Sequence, residues 1–368
     1  MKPLRVLALT KYGRLGASSR MRTLQYLPWL ALHGVQMDVR PLVSDAMLQA
    51  RYDTGHYDKA ALMAAYARRV GDLLGARAFD VLWIEKEALA WLPLPLERAL
   101  LSAAPYVLDY DDATFHQYDL HPSPAVRRVY GRKLDGLMAG AALVVAGNGY
   151  LAQRATDAGA ARVEVVPTVV DLDRYDAAPA LKKAGDGRAR IVWIGSPSTA
   201  RYLQTVAEPL RELAARTPFV LRVIGGGDVQ LPDVTTEPVP WSEATEAQSL
   251  QGAAIGIMPL LDSPWERGKC GYKLIQYMAC GLPTVASAVG ANQSIVLPGE
   301  TGFLAASPQE WVQSLETLLH DPSLRQRMGA AGRARVEQRY CLQVTAPRLA
   351  QLLHQAARTE SPHKEHAR

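Results

Sequence analysis

Apolar residues along this chain gather in short, nearly unbroken runs, separated by longer segments in which they recur every third or fourth position. Leu4–Thr10 (LRVLALT) is the first run, and Arg190–Ile194 (RIVWI) opens a second series. A strand covered on both faces has no polar side to show, so such runs predict buried strands of a parallel sheet. Further runs predict strands at Val35–Val39, Val81–Ile84, Tyr106–Asp109, Leu143–Ala146 and Val163–Val166, then at Val220–Ile224, Ile255–Met258 and Thr284–Ala286. Helical periodicity between them gives repeated strand–helix–strand units. The alternation starts over once. That restart predicts an α/β chain of two tandem Rossmann-like, doubly wound domains.

The first loop, Gly13–Ser19, is small and polar and leads into a helix predicted to end at Gly34, a C′ glycine. Between the two series, PTVVDLDRYDAAPALKKAGDGRAR is rich in Pro, Gly and charge and reads as a linker. The boundary is placed near residue 185, giving an N-terminal domain with its linker over 1–185 and a second domain over 186–345. Residues 346–358 predict a C-terminal helix that returns to the first domain, and 359–368, without apolar periodicity, are expected to be disordered. Ligands of doubly wound domains bind outside the carboxyl ends of the strands. Two such domains predict a cleft, read through the loops after Thr10, Asp109, Ile194, Ile224 and Met258.

Composition narrows the partners. The 368 residues carry 41 Lys+Arg against 36 Asp+Glu, a formal net charge of +5. An excess this small and dispersed excludes a nucleic-acid footprint but suits anionic ligands or a membrane surface. At 48% hydrophobic and 21% charged, the chain is neither disordered nor fibrous. Cys270, Cys280 and Cys341 form no disulfide framework, and neither they nor the eight histidines show metal-ligand spacing. No signal-peptide pattern opens the chain, and no apolar run approaches the roughly 18 residues of a bilayer span, so a cytoplasmic protein is expected. Gly225-Gly-Gly lacks the third glycine of a dinucleotide fingerprint and reads as a strand-ending turn, and Gly-x-Ser-x-Gly is absent.

The richest chemistry lies in Trp265–Pro283. Arg267, Lys269 and Lys273 crowd a glycine-bearing loop that becomes a helix near Gly271. A helix N-terminus presents free N–H groups and a positive dipole end, and added lysines point to phosphate; charge alone also fits a solvated loop. A second loop, Gly195-Ser-Pro-Ser-Thr-Ala-Arg, offers Ser198 or Thr199 as a helix cap and Arg201 one turn in. Two such loops in one domain predict a diphosphate site. Trp241, after Pro240, is read either as a stacking surface for a base or as a core residue.

The run Lys273-Leu-Ile-Gln-Tyr-Met-Ala-Cys-Gly-Leu-Pro-Thr-Val-Ala-Ser resembles the donor-site helix of GT-B glycosyltransferases of the retaining family four. Ala17-Ser-Ser-Arg-Met-Arg, Val166-Pro-Thr-Val-Val-Asp and Gly299-Glu-Thr-Gly-Phe-Leu resemble that family's first loop, interdomain entry and late turn. The resemblance implies a nucleotide-sugar held by Gly195, Ser198, Thr199, Lys269, Gly271, Gln276 and Trp241, with Arg201 and Lys273 on the diphosphate. The departures are specific. Two glutamates eight positions apart in the family are Gly268 and Gln276 here, an arginine is Ser196, and a lysine is Arg201. An amide still accepts a ribose hydroxyl bond, without charge assistance.

In the first domain, Asp109, Asp111 and Asp112 follow a buried strand. Many family members carry histidine where Asp111 aligns, near the transferred sugar, which implies a catalytic role for Asp111; Asp112 is read as a helix cap. Gly16, Ser19, Arg20 and Arg22 fall on the acceptor side, where the arginines either meet acceptor phosphates or are solvated. Val126–Met138 is amphipathic and basic, read as a plain surface helix or as a contact with anionic lipid. The resemblance implies hexose transfer with retention from a nucleoside diphosphate sugar. It implies a glycan or polyprenyl-diphosphate-linked acceptor in surface polysaccharide synthesis, at or near the cytoplasmic face of the inner membrane. No metal and no other cofactor is expected, because side chains supply the positive charge. A nucleotide-sugar 2-epimerase and a non-catalytic GT-B partner subunit are the alternatives.

Overall fold

The computed structural model describes residues 2–176 and 187–359. They form two compact units, one running to Thr168 and resuming at Thr345, the other spanning Val169–Val344. The boundary expected near residue 185, like the tail beyond 359, lies outside the described residues. The chain already joins the second unit at Val170, which bridges to Cys341: the Val170 amide donates to Tyr340 O at 3.1 Å and the Leu342 amide to Val170 O at 3.0 Å. The helix Leu342–Ala356 ties its later residues to the first unit, through Tyr26 Oη and Thr345 Oγ1 at 3.0 Å and an Arg348–Glu164 ion pair at 2.9 Å.

In the first unit, β1 (Leu4–Tyr12), β2 (Val35–Val43), β3 (Val81–Glu85), β4 (Tyr106–Tyr110), β5 (Leu143–Ala146) and β6 (Val163–Val165) form one sheet in the order β2-β1-β3-β4-β5-β6. All pairings are parallel, with Val6 facing Met37 on one side and Val81 on the other. The strand order reverses between β1 and β3, so the loops after these two strands flank the crevice where such sheets take ligands. The segment expected to be one helix from the first loop to Gly34 is instead a short helix (Ala17–Arg22), a 3₁₀ turn and a second helix (Leu27–Leu32). Gly34 does take the left-handed backbone, φ 73°, that a C′ glycine supplies.

The second unit repeats the plan. Its strands β7 (Ala189–Ile194), β8 (Phe219–Ile224), β9 (Thr236–Val239), β10 (Ile255–Met258), β11 (Thr284–Ser287) and β12 (Gly302–Ala305) run in the order β12-β11-β10-β7-β8-β9, reversing between β7 and β10. Ile191, Trp193, Leu221, Val223 and Ile257 pack under Leu210, Leu213, Leu315 and Leu318. Each such side chain, fully buried, contributes about 1.5–3 kcal/mol.

The helix Tyr272–Ala279 is buried along Leu274–Ala279. Its Tyr277 ring crosses the sheet where β10 has Gly256; a Cβ there would lie 2.3 Å from the ring. Tyr277 Oη accepts from the Ile194 amide at 3.0 Å and donates to Ile257 O at 3.2 Å. One phenol therefore fixes this helix to the two strands that border the crevice.

Candidate functional site

The second unit brings most of the singled-out residues to its β7/β10 crevice. After β7, Ser196 is the N-cap residue: its amide donates to Thr199 Oγ1 at 3.0 Å, and Thr199 Oγ1 donates to Ser196 O at 3.0 Å. The cap expected at Ser198 or Thr199 is thus displaced by Pro197, which suits the first helical position and not the cap. The helix Pro197–Ala200 is a single turn, and Arg201 opens a 3₁₀ stretch to Val206. A Cβ at Gly195 would lie 2.4 Å from the Trp193 ring. The bare glycine lets the loop cross that ring closely, and Lys273 Nζ stands 5.4 Å from the centroid of the same ring. The Gly195 loop and Lys273 therefore both adjoin the Trp193 ring.

Gly271 caps the Tyr272–Ala279 helix in the left-handed region at φ 64°, and this aims the preceding Lys269–Cys270 backbone into the loop after β10. Arg201 is exposed, and its guanidinium lies 5.2 Å from the Tyr202 ring. Tyr202 Oη donates to Glu266 Oε1 at 2.6 Å, and Ser263 Oγ donates to the same carboxylate. Burial pushes the Glu266 carboxyl up, but these two hydroxyls and Lys269 outweigh it and hold it below the ordinary range. A carboxylate therefore enters this loop two residues before Gly268. Sequence reasoning missed it, although Ser263-Pro-Trp-Glu266 carries the spacing of a helix-start box. Arg267 pairs on the surface with Asp262 at 2.7 Å.

Gln276 is buried, and its amide nitrogen donates to Tyr175 Oη at 3.1 Å. Tyr175 Oη donates to Glu246 Oε1 at 3.2 Å, and the Trp241 indole N–H donates to Glu246 Oε2 at 3.0 Å. Gln276 thus commits its amide N–H to this relay, leaving its amide oxygen as the acceptor. Trp241 is half-buried beside Gly225, which turns left-handed at φ 72°. The Gly225 run is thus a strand-ending turn.

In the first unit, the loops after β1, β3 and β4 converge on a buried polar cluster. Ser18 Oγ stands 2.7 Å from Glu85 Oε1 and 2.6 Å from Asp111 Oδ2, while Lys86 Nζ pairs with Asp111 Oδ1 at 2.9 Å and reaches Ser18 Oγ at 3.1 Å. Burial alone would raise the Asp111 carboxyl; Lys86, Ser18 and Arg22 outweigh it and hold it at about 2. Lys86 in turn is raised: burial disfavours its ammonium, but Asp111 and Glu85 more than compensate. Asp111 is ionised and already charge-balanced. Ser19 supports the same loop by accepting the Tyr12 amide at 3.0 Å, and Gly16 lies directly against Tyr12, where a Cβ would sit 2.3 Å from that side chain.

The solvated reading of the two acceptor-side arginines is corrected. Arg22 is buried and grips Asp109 through Nε at 3.1 and 3.2 Å and through Nη2, and donates to Val166 O at 2.8 Å. Arg20 is also buried and donates to Arg14 O at 2.9 Å. These arginines staple the first loop; they do not lie solvated on a helix. Burial raises the Asp109 carboxyl to about 6 despite Arg22. The N-cap position of the helix His116–Asp119 is Phe115, not Asp112. Val126–Met138 is two helices, Pro124–Tyr130 with nothing buried and Lys133–Ala139, which buries Lys133 between Glu87 at 2.6 Å and Glu97 at 2.8 Å. Sequence reasoning missed Glu85, Lys86 and this triad. Among the described residues, no group of three or more His, Cys, Asp or Glu side chains is placed to hold a metal ion.

Residues 176–321 match the family described as glycosyl transferases group 1. The match lies wholly within the second unit. Similar curated proteins are D-inositol 3-phosphate glycosyltransferases: that of Kineococcus radiotolerans is 30% identical over 220 residues, 48% of each chain. That of Thermomonospora curvata is 25% identical over 320 residues, 77% of this chain and 68% of the relative. The first three relatives are matched over only 30%, 48% and 50% of their own length. Among solved structures, sucrose-phosphate synthase from Thermosynechococcus elongatus aligns with a TM-score of 0.71 at 16% identity, over 96% of this chain and 99% of that one. HepE of Anabaena, solved with UDP and glucose, aligns with a TM-score of 0.70 at 15% identity, over 95% and 99%. The fold is GT-B, and the resemblance to family-four glycosyltransferases holds. No helix among the described residues is long and apolar enough to cross a membrane.

Proposed function

We propose that this chain is a retaining hexosyltransferase that moves a sugar from a nucleoside diphosphate to a glycan or polyprenyl-diphosphate-linked acceptor in cell-surface polysaccharide synthesis. The observation that carries the reading is the approach of both Lys273 and the Gly195 loop to the Trp193 ring, on the segments that follow β7 and β10. Lys269 approaches through the loop that ends in Gly271, and Arg201 is exposed on the 3₁₀ stretch after the Ser196 cap. A leaving diphosphate gains charge as the sugar bond breaks, and cations with helix-end N–H groups lower that barrier, typically by a few kcal/mol per contact. Gln276 offers its amide oxygen to a ribose hydroxyl, and Trp241, oriented by Glu246, offers a face to the base.

The first unit supplies the acceptor side. Asp111, kept ionised by Lys86 and Ser18, orients a sugar hydroxyl or stabilises positive character at the anomeric carbon. None of these side chains is a free nucleophile, which supports front-face substitution, with the leaving phosphate accepting the acceptor proton. Metal independence is supported by the carboxylates themselves: Asp109 is occupied by Arg22 and Asp111 by Lys86. HepE was solved with UDP-glucose, which makes a uridine donor the first to try. The exposed basic helix Pro124–Tyr130 is the segment that would rest on the cytoplasmic face of the inner membrane.

Incubation with a panel of UDP-, GDP- and TDP-sugars tests the reading. A transferase hydrolyses one donor slowly without acceptor. Epimer formation would make the chain a nucleotide-sugar 2-epimerase, and inertness toward every donor would make it a non-catalytic partner subunit, as the replacement of both family glutamates by Gly268 and Gln276 would then explain.

A further inference from the structure

Three non-glycine residues among those described have a left-handed backbone, and two of them bound a single loop: Lys86 at φ 67° and Trp91 at φ 62°. That loop follows β3 and so flanks the β1/β3 crevice. Bulky residues hold such backbone only where their surroundings over-determine it, and these sites cluster at ligand clamps. Here the determinants are explicit. Glu97 Oε1 accepts from the Ala88 and Leu89 amides at 2.8 and 3.2 Å, and Lys133 Nζ donates to Leu89 O at 2.7 Å. The Trp91 amide donates to Tyr118 Oη at 3.1 Å, and Tyr130 Oη donates to Trp91 O at 2.8 Å. Lys133 and Glu97 are wholly buried, so the loop stands on an ion pair sealed from water.

The construction ends in an exposed indole. Trp91 is 48% exposed, and its ring meets Tyr118, Tyr130 and His121 edge-to-face at centroid distances of 5.0, 5.7 and 6.0 Å. Three perpendicular neighbours and two main-chain bonds fix its orientation. A side chain that merely dips into a bilayer requires no fixed ring plane, whereas stacking on a flat ligand does. A pyranose ring is such a ligand: one face is lined by C–H groups, and its hydroxyls point outward toward a polar rim such as His121 and the Tyr130 phenol.

We infer that Trp91 is a stacking platform for a sugar ring of the acceptor, held by the Lys86–Trp91 loop whose other end carries the Asp111 partner. The inference rests on the transferase reading and deepens it: the acceptor is a saccharide with a ring to stack, not an isolated hydroxyl or phosphate.

Saturation-transfer NMR on the full chain tests this with methyl α- and β-glycosides of glucose, galactose and mannose, and with UDP in parallel. Wild type is expected to transfer saturation to the ring C–H protons of at least one glycoside. Trp91→Ala should lower that signal about fivefold or more, Trp91→Tyr should recover much of it, and Leu74→Ser, an exposed position elsewhere in the first unit, should leave it unchanged. Trp91→Gly, which accepts the left-handed backbone, replaces the alanine variant if that one fails to fold. Glycoside signals that survive loss of the indole, or their absence from wild type while UDP is seen, would overturn the inference. So would glycoside silence combined with Trp91-dependent binding to phosphatidylcholine–phosphatidylglycerol vesicles, which would make the residue a bilayer contact. Failure of UDP to bind any variant would count against the transferase reading itself.

Discussion

Asp111 and Lys86 stand 2.9 Å apart in a buried corner of the first unit, with Ser18 bridging toward Glu85. An ionised carboxylate in such surroundings persists only because its charge is matched, and removing one partner of a buried pair is far costlier than never having built it. The pH dependence follows from the depressed Asp111 carboxyl. Its folded value, about 2, lies below the ordinary carboxylate range, so its contribution is complete above pH 5 and is lost as pH falls toward 2. The stability gap between wild type and Asp111→Asn, measured by chemical denaturation, should therefore narrow by about 1 kcal/mol between pH 5 and pH 3. A gap that widened on acidification would mean the carboxylate is not held this way. Gln276 belongs to a different logic. Its amide N–H touches Tyr175, and on the proposed reading its oxygen meets the donor ribose alike in the ground and transition states. Gln276→Ala should raise the donor KM more than it lowers kcat. A collapse of kcat at unchanged donor affinity would place the residue at the reacting centre.

At the scale of elements, the buried parallel strands were legible because continuous apolar runs have few other uses. Ten of the strands stand where such runs predict them, while β9 and β12 were not so marked: TEPV and GFLA are short edge segments broken by Pro238 and Gly302. The Tyr272–Ala279 helix was also legible, through its glycine and its lysines. What no local pattern revealed was the pairing across the sheet. Glu85 and Lys86 lie just past the Val81–Ile84 run with no motif of their own, and only the strand order brings them against Ser18 and Asp111. The pairing of Arg22 with Asp109, 87 residues apart, was hidden for the same reason. Gly271 carries the element-scale prediction. Its left-handed backbone sets where the helix begins, and any side chain there costs about 1–2 kcal/mol. Gly271→Ala should lower stability by that amount and weaken diphosphate binding as the helix start shifts, read by melting temperature and calorimetry. Unaltered affinity in a destabilised protein would separate the helix start from the ligand.

Across the whole molecule, the same doubly wound plan occurs twice with different furnishing. On the proposed reading, the second unit offers Lys269, Lys273 and Arg201, on the segments after β7 and β10, to an anion. The first unit buries its charges in matched pairs, Arg22 with Asp109, Lys86 with Asp111, and Lys133 with Glu87 and Glu97. This division of labour predicts that EDTA leaves donor turnover largely intact, since the cations at the diphosphate are side chains. Complete loss with recovery on adding Mg²⁺ or Mn²⁺ would instead recruit Asp109 and Asp111 as metal ligands. The central claim, that the second unit is built around a nucleoside diphosphate, is tested most directly by titration calorimetry of the full chain with UDP, GDP, TDP and CMP. One diphosphate should bind with a single site per chain, and Lys273→Ala, still folded, should bind it about tenfold or more weakly. Absence of binding to all four nucleotides, or undiminished affinity in Lys273→Ala, would contradict the account.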